Sequence, residues 1–162
     1  MNKFTLTVLY AIGAFTMTAN AESNLQQQPL FNCTTGLKSC LEKMYTEVFH
    51  NPQQINHFFA KDYTQYADGE ILNLTEFKKH VEIVRNKVSD INFEVTEAAK
   101  SEDTISDRHL VNLELHSGEK AVIEIIQISK LKNGKIHELH ELSRVISGDK
   151  ALKALASQKH ND

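Results

Sequence analysis

Tyr45 and His80 are groups able to exchange a proton that fall on helical apolar stripes. Tyr45 stands among Leu37, Leu41, Met44, Val48 and Phe49, which recur at three- and four-residue steps. A buried tyrosine hydroxyl needs a partner, so Tyr45 is either a pocket donor or a core residue bonded to a backbone carbonyl. His80 lies between Phe77 and Val84 on a second stripe, where an imidazole serves as a base or as a satisfied core histidine. Two carboxylates are placed differently. Asp68 precedes Gly69 at the end of an extended stretch, a pairing that also makes ordinary turns. Glu141 shares one face of a strand-like run with Leu139, Ser143 and, nearer the preceding turn, His137; Glu138, His140, Leu142 and Arg144 take the other face.

Other reactive patterns carry little. His137-Glu-Leu-His140 has its second histidine one residue too early for the helical H-E-x-x-H zinc motif, and residues three apart on a strand point to opposite faces. No metal is expected. The chain contains no G-x-S-x-G, P-loop or dinucleotide fingerprint, so neither covalent nucleophilic catalysis nor a cofactor is expected.

The elements that must position these groups are readable in outline. A helix begins at Leu37 and ends at Asn51-Pro52. A shorter one follows with Ile55, Phe58 and Phe59 on one side, then an extended stretch over 62–68. A third helix, capped by Asn73 or Thr75, carries Leu74, Phe77, His80, Val81, Val84 and Val88 on its buried stripe. Residues 91–147 alternate as strands, with 121–131 as the β-branched central strand and 136–146 as the last. Asn133-Gly134 predicts a type I′ hairpin between those two. A short helix over 149–160, capped by Asp149 with Leu152 and Leu155 docked, is expected to close the chain. Three helices ahead of four antiparallel strands make an α+β fold, with the helices packed on one face of a strongly curved sheet.

The beginning of the chain reads as a secretory signal peptide. Lys3 precedes an uncharged, mostly apolar run over 4–18, and Ala19-Asn20-Ala21 offers small residues for cleavage after Ala21. The run is short for a membrane span, which needs roughly 20 apolar residues. The expectation is a periplasmic or secreted protein, with 1–21 the signal, a polar, glutamine-rich flexible arm over 22–32, one domain over 33–148 and a tail over 149–162. Its net charge after cleavage is −4, because Lys3 is the leader's only charged residue and the whole chain carries −3. No basic patch is present to meet a phosphate backbone, so neither nucleic acid nor, after cleavage, a membrane is an expected partner.

Export makes pairing of Cys33 with Cys40 natural, with two free thiols as the alternative. Seven residues of continuous helix would rise about 10.5 Å, beyond the roughly 7 Å between Cα atoms that a disulfide tolerates. Cys33 is therefore placed ahead of the helix that holds Cys40, with the chain turning near Thr34-Thr35-Gly36.

Three stretches resemble the nuclear-transport-factor-2-like superfamily and its SnoaL-like group. Phe59-Ala-Lys-Asp62-Tyr63-Thr-Gln-Tyr66 is similar to the F-x-x-D-Y-x-Q-H stretch that closes the second helix. Ala67-Asp68-Gly69-Glu70, followed by Leu74-Thr-Glu-Phe77, resembles the turn into the third. Asn133-Gly134-Lys135-Ile136, then Glu141-Leu-Ser-Arg144, is similar to the end of the sheet. The likeness spans about 37–147 and implies a cone with a pocket inside. It implies that Tyr45 occupies the place of a tyrosine donating to an oxyanion, and that the place of the catalytic base falls at Ala67 or Asp68. Gln127 stands where ketosteroid isomerases carry a protonated carboxyl. An amide donates but does not titrate, and Tyr66 stands where relatives often carry histidine, so steroid isomerisation is not implied.

The resemblance also places Glu141 on the concave side beside Gln127. A carboxylate inside an apolar cone has a raised pKa and shuttles protons; the plainer alternative is an ion pair, with Arg108 as first candidate partner. The leading expectation is a small, largely apolar molecule oriented by Tyr45, Tyr63, Tyr66, Gln127 and Glu141. One rival is a cofactor-independent isomerase, cyclase or dehydratase with Asp68, His80 or Glu141 as base. The other is a homodimer through the outer sheet face, at Ile126 and Ile128.

Overall fold

The computed structural model describes Phe31 and residues 33–148; the expected signal at 1–21, the rest of the arm and the expected terminal helix at 149–160 lie outside the described residues. Helix α1 (Leu37–His50) is followed by a 3-10 turn (Pro52–Gln54), a one-turn helix α2 (Ile55–Phe58), strands β1 (Phe59–Ala67) and β2 (Glu70–Asn73), helix α3 (Leu74–Lys87), and strands β3 (Val88–Ser101), β4 (Thr104–Leu115), β5 (Lys120–Lys132) and β6 (Lys135–Ser147). One curved, mostly antiparallel sheet runs β2-β1-β6-β5-β4-β3, and the three helices pack on it. The α+β cone read from the sequence is therefore present, with six strands.

Gly36 takes φ +91 and folds the chain so that its N–H donates to the Cys33 carbonyl at 3.3 Å. That turn brings the Cα atoms of Cys33 and Cys40 to 6.0 Å, joined by a disulfide. At α3, the Asn73 side chain accepts from the N–H groups of Thr75 and Glu76, and Glu76 accepts from Asn73 N–H at 2.9 Å, a complete capping box. The hairpin between β5 and β6 turns on Asn133 and Gly134, with φ of 52 and 77, as type I′ requires.

Several placements differ from the sequence reading. Of the extended stretch 62–68, residues 62–67 belong to β1, a full member of the sheet, antiparallel to β2 and parallel to β6, and Asp68 stands in the turn after it. Phe59 opens β1 instead of closing the second helix. Phe31, assigned to the flexible arm, is buried in the core against α1 because the disulfide turn anchors the chain beside it. His137 does not share the Glu141 face: Leu131 pairs with Ile136 and Lys130 with Glu138, so His137 is the extra residue of a bulge. Ile136 and Leu139 are both buried as a result.

A second bulge bends β3. Val95 pairs with His109 and Glu97 with Arg108, leaving Thr96 extra. The Glu42 carboxylate of α1 accepts from Val95 N–H at 2.9 Å, and the Thr96 hydroxyl donates to the Arg108 carbonyl at 2.9 Å. The helix thus holds the sheet at its bend, beside His109. Two apolar clusters fill the fold, one around Leu41, Met44, Ile55 and Tyr63 and the other around Phe49, Val84, Ile123 and Ile125.

Candidate functional site

A cavity of about 130 Å³ lies where the two clusters meet, lined by members of both together with Tyr45, Gln65, His80, His109, Gln127 and Glu141. Strand alternation puts Gln65, His109, Gln127 and Glu141 inside. Along β4, Ile105, Asp107, His109, Val111 and Leu113 are buried; along β5, Ile123, Ile125, Gln127 and Ser129; along β6, Leu139, Glu141 and Ser143; along β1, Tyr63, Gln65 and Ala67. Register then aligns Ala67, Glu141, Gln127 and Asp107 in one row across four strands. The polar end of the cavity is built on that row.

Asp107 is the centre of one half. Its Oδ1 accepts from the Tyr45 hydroxyl at 3.0 Å and from Gln127 Nε2 at 2.9 Å, and its Oδ2 meets His109 Nδ1 at 2.7 Å. Gln127 Nε2 also donates to the Tyr45 oxygen at 2.6 Å. The Tyr45 and His109 rings lie 4.5 Å apart, tilted. Burial and the adjacent Asp107 carboxylate push the Tyr45 hydroxyl well above the ordinary phenol range, so it stays a donor. His109 is held through Nδ1.

Glu141 is the centre of the other half. Gln65 Nε2 donates to its Oε2 at 3.0 Å, and the Tyr63 hydroxyl donates to Gln65 Oε1 at 3.4 Å. The Glu141 Oε1 atom is buried with no partner among the described residues. Burial drives the Glu141 pKa up to about 8, against the bond from Gln65; the carboxylates of Asp68 and Asp107 add to the rise. At neutral pH the group is mostly protonated. Because Oε2 accepts from Gln65, the proton belongs on Oε1. Burial, with Glu141 nearby, also pushes the Tyr63 hydroxyl well above its ordinary range.

Tyr45, Tyr63, His80, Gln127 and Glu141, singled out in the sequence, line this cavity together. Tyr66 does not. It stands three residues from Tyr63 on β1, so the two tyrosines point to opposite faces, and Tyr66 stacks on His140 outside, rings 4.7 Å apart. Asp68 is also elsewhere: with φ 50 it turns its carboxylate onto the backbone N–H and hydroxyl of Ser143, on the rim of an outer groove. Arg108 is not the partner of Glu141. It projects from the other face of β4 and donates from Nε to Glu124 at 2.7 Å, and Arg144 holds the same carboxylate. Those two guanidiniums keep Glu124 below the ordinary carboxylate range.

Asp107, His109 and Gln65 were missed in the sequence. Extending the alternation of Val111 and Leu113 back by two and four residues places His109 and Asp107 on the inner face. The same step from Tyr63 finds Gln65. Among the described residues no cluster of three or more metal-ligating side chains occurs.

Similarity to known proteins supports the fold. The chain matches no family model. It is 26% identical over 117 residues to an uncharacterized protein of Schizosaccharomyces pombe, covering 72% of this chain and 90% of that one. Among solved structures, an NTF2-like protein of unknown function from Exiguobacterium sp. 255-15 aligns with TM-score 0.53 at 17% identity, over 67% of this chain and 93% of that one. IdmH, a candidate polyketide cyclase from Streptomyces antibioticus, aligns with TM-score 0.54 at 12% identity, over 62% and 89%. A protein of ketosteroid isomerase-like fold from Catenulispora acidiphila, in complex with trimethylamine, aligns with TM-score 0.53 at 11% identity, over 61% and 81%. The fold is that of the NTF2-like proteins, which include SnoaL-like cyclases and ketosteroid isomerase-like members.

Proposed function

We propose that the cavity receives a small, largely apolar molecule carrying one oxygen function, and that Glu141 engages this oxygen. The observation that carries the reading is that Glu141, whose buried Oε1 has no partner among the described residues, is one of the residues that line the cavity. A buried carboxyl oxygen left without a partner costs about 1–3 kcal/mol, and a ligand group bonded there removes that cost. Size narrows the class. The cavity holds about 130 Å³, and an apolar cavity of roughly 150 Å³ takes up benzene. A molecule of six or seven non-hydrogen atoms therefore fits, and a fused polycyclic one does not without movement of the lining. The trimethylamine bound by a protein of the same fold is of this small class.

We also propose that the protein acts outside the cytoplasm after removal of residues 1–21; the Cys33–Cys40 disulfide supports this, because such bonds persist in oxidising compartments. A second reading concerns the outer face of the sheet. Ile126, Ile128 and Leu142 are 53%, 47% and 70% exposed, and Ile126 pairs directly with Leu142. A contiguous apolar patch of this kind marks an association surface, and a second copy of the chain is the proposed occupant.

Cyclohexanone tests the cavity. In an amide-shift titration it should move resonances around Tyr63, Leu113 and Glu141, and Ile125→Phe, which fills the cavity, should abolish those shifts. A saturating titration that leaves these amides unmoved would end this reading.

A further inference from the structure

We infer that the cavity selects a small organic cation, a tertiary or quaternary ammonium bearing a hydroxyl group, over an uncharged molecule of the same shape. This rests on the reading that the cavity admits a small molecule whose oxygen meets Glu141.

The charge balance of the wall carries the inference. Among the described residues no lysine or arginine lines the cavity, whereas Glu141 does, and Asp107 is bonded to three of the lining residues, Tyr45, Gln127 and His109. Both carboxyl groups are buried, Asp107 4% and Glu141 8% exposed. The guanidiniums of Arg108 and Arg144 are bound to Glu124, on the opposite face of the sheet. A buried carboxyl group is normally answered by a basic side chain or by a full set of hydrogen bonds. Glu141 has neither: Gln65 reaches Oε2, and no donor among the described residues reaches Oε1. A cation supplied by the ligand answers it.

The aromatic lining favours a cation as well. The chain has eight phenylalanines and four tyrosines, and six of these rings line the cavity. They form two groups carried by four elements. Tyr45 and Phe49 of α1 lie against Phe93 of β3, with ring centroids 5.7 and 6.1 Å apart. Phe59 and Tyr63 of β1 lie against Phe77 of α3, at 5.0 and 5.4 Å. None of these four pairs is stacked, so the rings do not cover one another's faces. Leucine or isoleucine would supply the same apolar area; a ring adds a negative face that attracts a cation. An alkylated ammonium suits such a wall because it has few or no N–H groups to leave unsatisfied. Joined through two carbons to a hydroxyl, its trimethyl form has about seven non-hydrogen atoms, which a cavity of about 130 Å³ accommodates.

Charge on the ligand also sets the state of Glu141. An uncharged molecule leaves its proton in place, since burial holds the pKa at about 8. A cation reverses that effect: Glu141 gives its proton to the buffer, and the ligand hydroxyl donates to the resulting carboxylate. Below pH 8 one proton therefore leaves for each cation bound. The titratable groups that share the cavity with Glu141 are Tyr45 on α1, Tyr63 on β1, His80 on α3 and His109 on β4, with Asp107 bonded to Tyr45 and His109, and Asp68 beyond the end of β1. Strands β3 and β5 present none to the cavity. A histidine or carboxylate that takes up a proton opposes a cation, so all of these groups act in one direction, and acid weakens binding.

The test titrates the disulfide-intact protein with choline and with 3,3-dimethylbutan-1-ol, the same shape with carbon in place of the charged nitrogen, following amide shifts at pH 6, 7, 8 and 9. At pH 9 choline should bind more tightly than the alcohol by about tenfold, within the range for a desolvated cation on aromatic rings. Its affinity should rise by about tenfold per pH unit between pH 6 and 8 and then flatten, while that of the alcohol does not rise. Glu141→Gln should remove the rise, and Phe93→Leu should weaken choline more than the alcohol. Should E141Q not fold, the wild-type pH series decides by itself. An alcohol that binds as tightly as choline at pH 9, or a choline affinity that is level with pH, overturns the cation preference and leaves the ligand reading standing. If neither molecule moves the cavity amides at saturating concentration, the ligand reading falls, and the preference with it.

Discussion

Replacing Glu141 by glutamine should change how stability varies with pH more than how large it is at acid pH. The side chain is nearly isosteric, and its oxygen can still accept from Gln65 as Oε2 does now at 3.0 Å. What disappears is titration. Burial lifts the Glu141 pKa from the ordinary 4.5 to about 8, so between those values the folded protein keeps a proton that the unfolded chain has released. Stability falls with rising pH wherever the folded state binds more protons. The contribution is therefore complete below pH 4.5, declines through the interval and is gone above about 8. Each pH unit is worth about 1.4 kcal/mol, and the whole interval amounts to on the order of 4–5 kcal/mol. Urea titrations of both proteins at pH 5, 6, 7, 8 and 9 give the difference directly, with other groups cancelling between them. The wild type should lose about 1.4 kcal/mol per pH unit relative to Glu141→Gln between pH 5 and 8, and the difference should level off by pH 9. Parallel stability curves would refute the reasoning, because they would mean that Glu141 titrates alike in the folded and unfolded chains.

The remaining predictions concern the clasp and the outer face. Replacing both Cys33 and Cys40 by serine should cost about 2.5 kcal/mol, the chain-entropy value for so short a loop, read as a lower urea midpoint; an unchanged midpoint would show that the bond does not constrain the unfolded chain. Ile126→Asp should convert a dimer to a monomer in light scattering with little change in thermal stability, because Ile126 is 53% exposed within one chain. A wild-type protein that is already monomeric at high concentration would remove the association surface from consideration.

How far the site could be read in advance depended on distance along the chain. The tyrosine on α1 and the histidine on α3 were legible because each follows from spacing within one element, whereas the inward face of Glu141 came from the family resemblance. Tyr63 and Tyr66 show the same rule neglected: three residues apart on one strand, they could not both face a pocket. The Asp107–His109 pair was equally available to alternation, two residues apart on β4. Between them stands Arg108, expected as a partner of Glu141, which belongs to the opposite face with Glu124.

By itself the sequence determined the three helices and the four strands that follow them, the Asn73 cap, the Asn133-Gly134 hairpin and the turn that lets Cys33 reach Cys40. All of these are decided by neighbours a few residues apart, where backbone preference and short hydrogen bonds dominate. Only the tertiary structure decided that β1 lies parallel to β6, that a bulge takes His137 out of the Glu141 face, and that Gln65 bonds Glu141 across 76 positions of sequence. Those outcomes depend on which strands meet and in what register. One residue of slip would exchange the inner and outer faces, and the cavity's polar row would then face solvent.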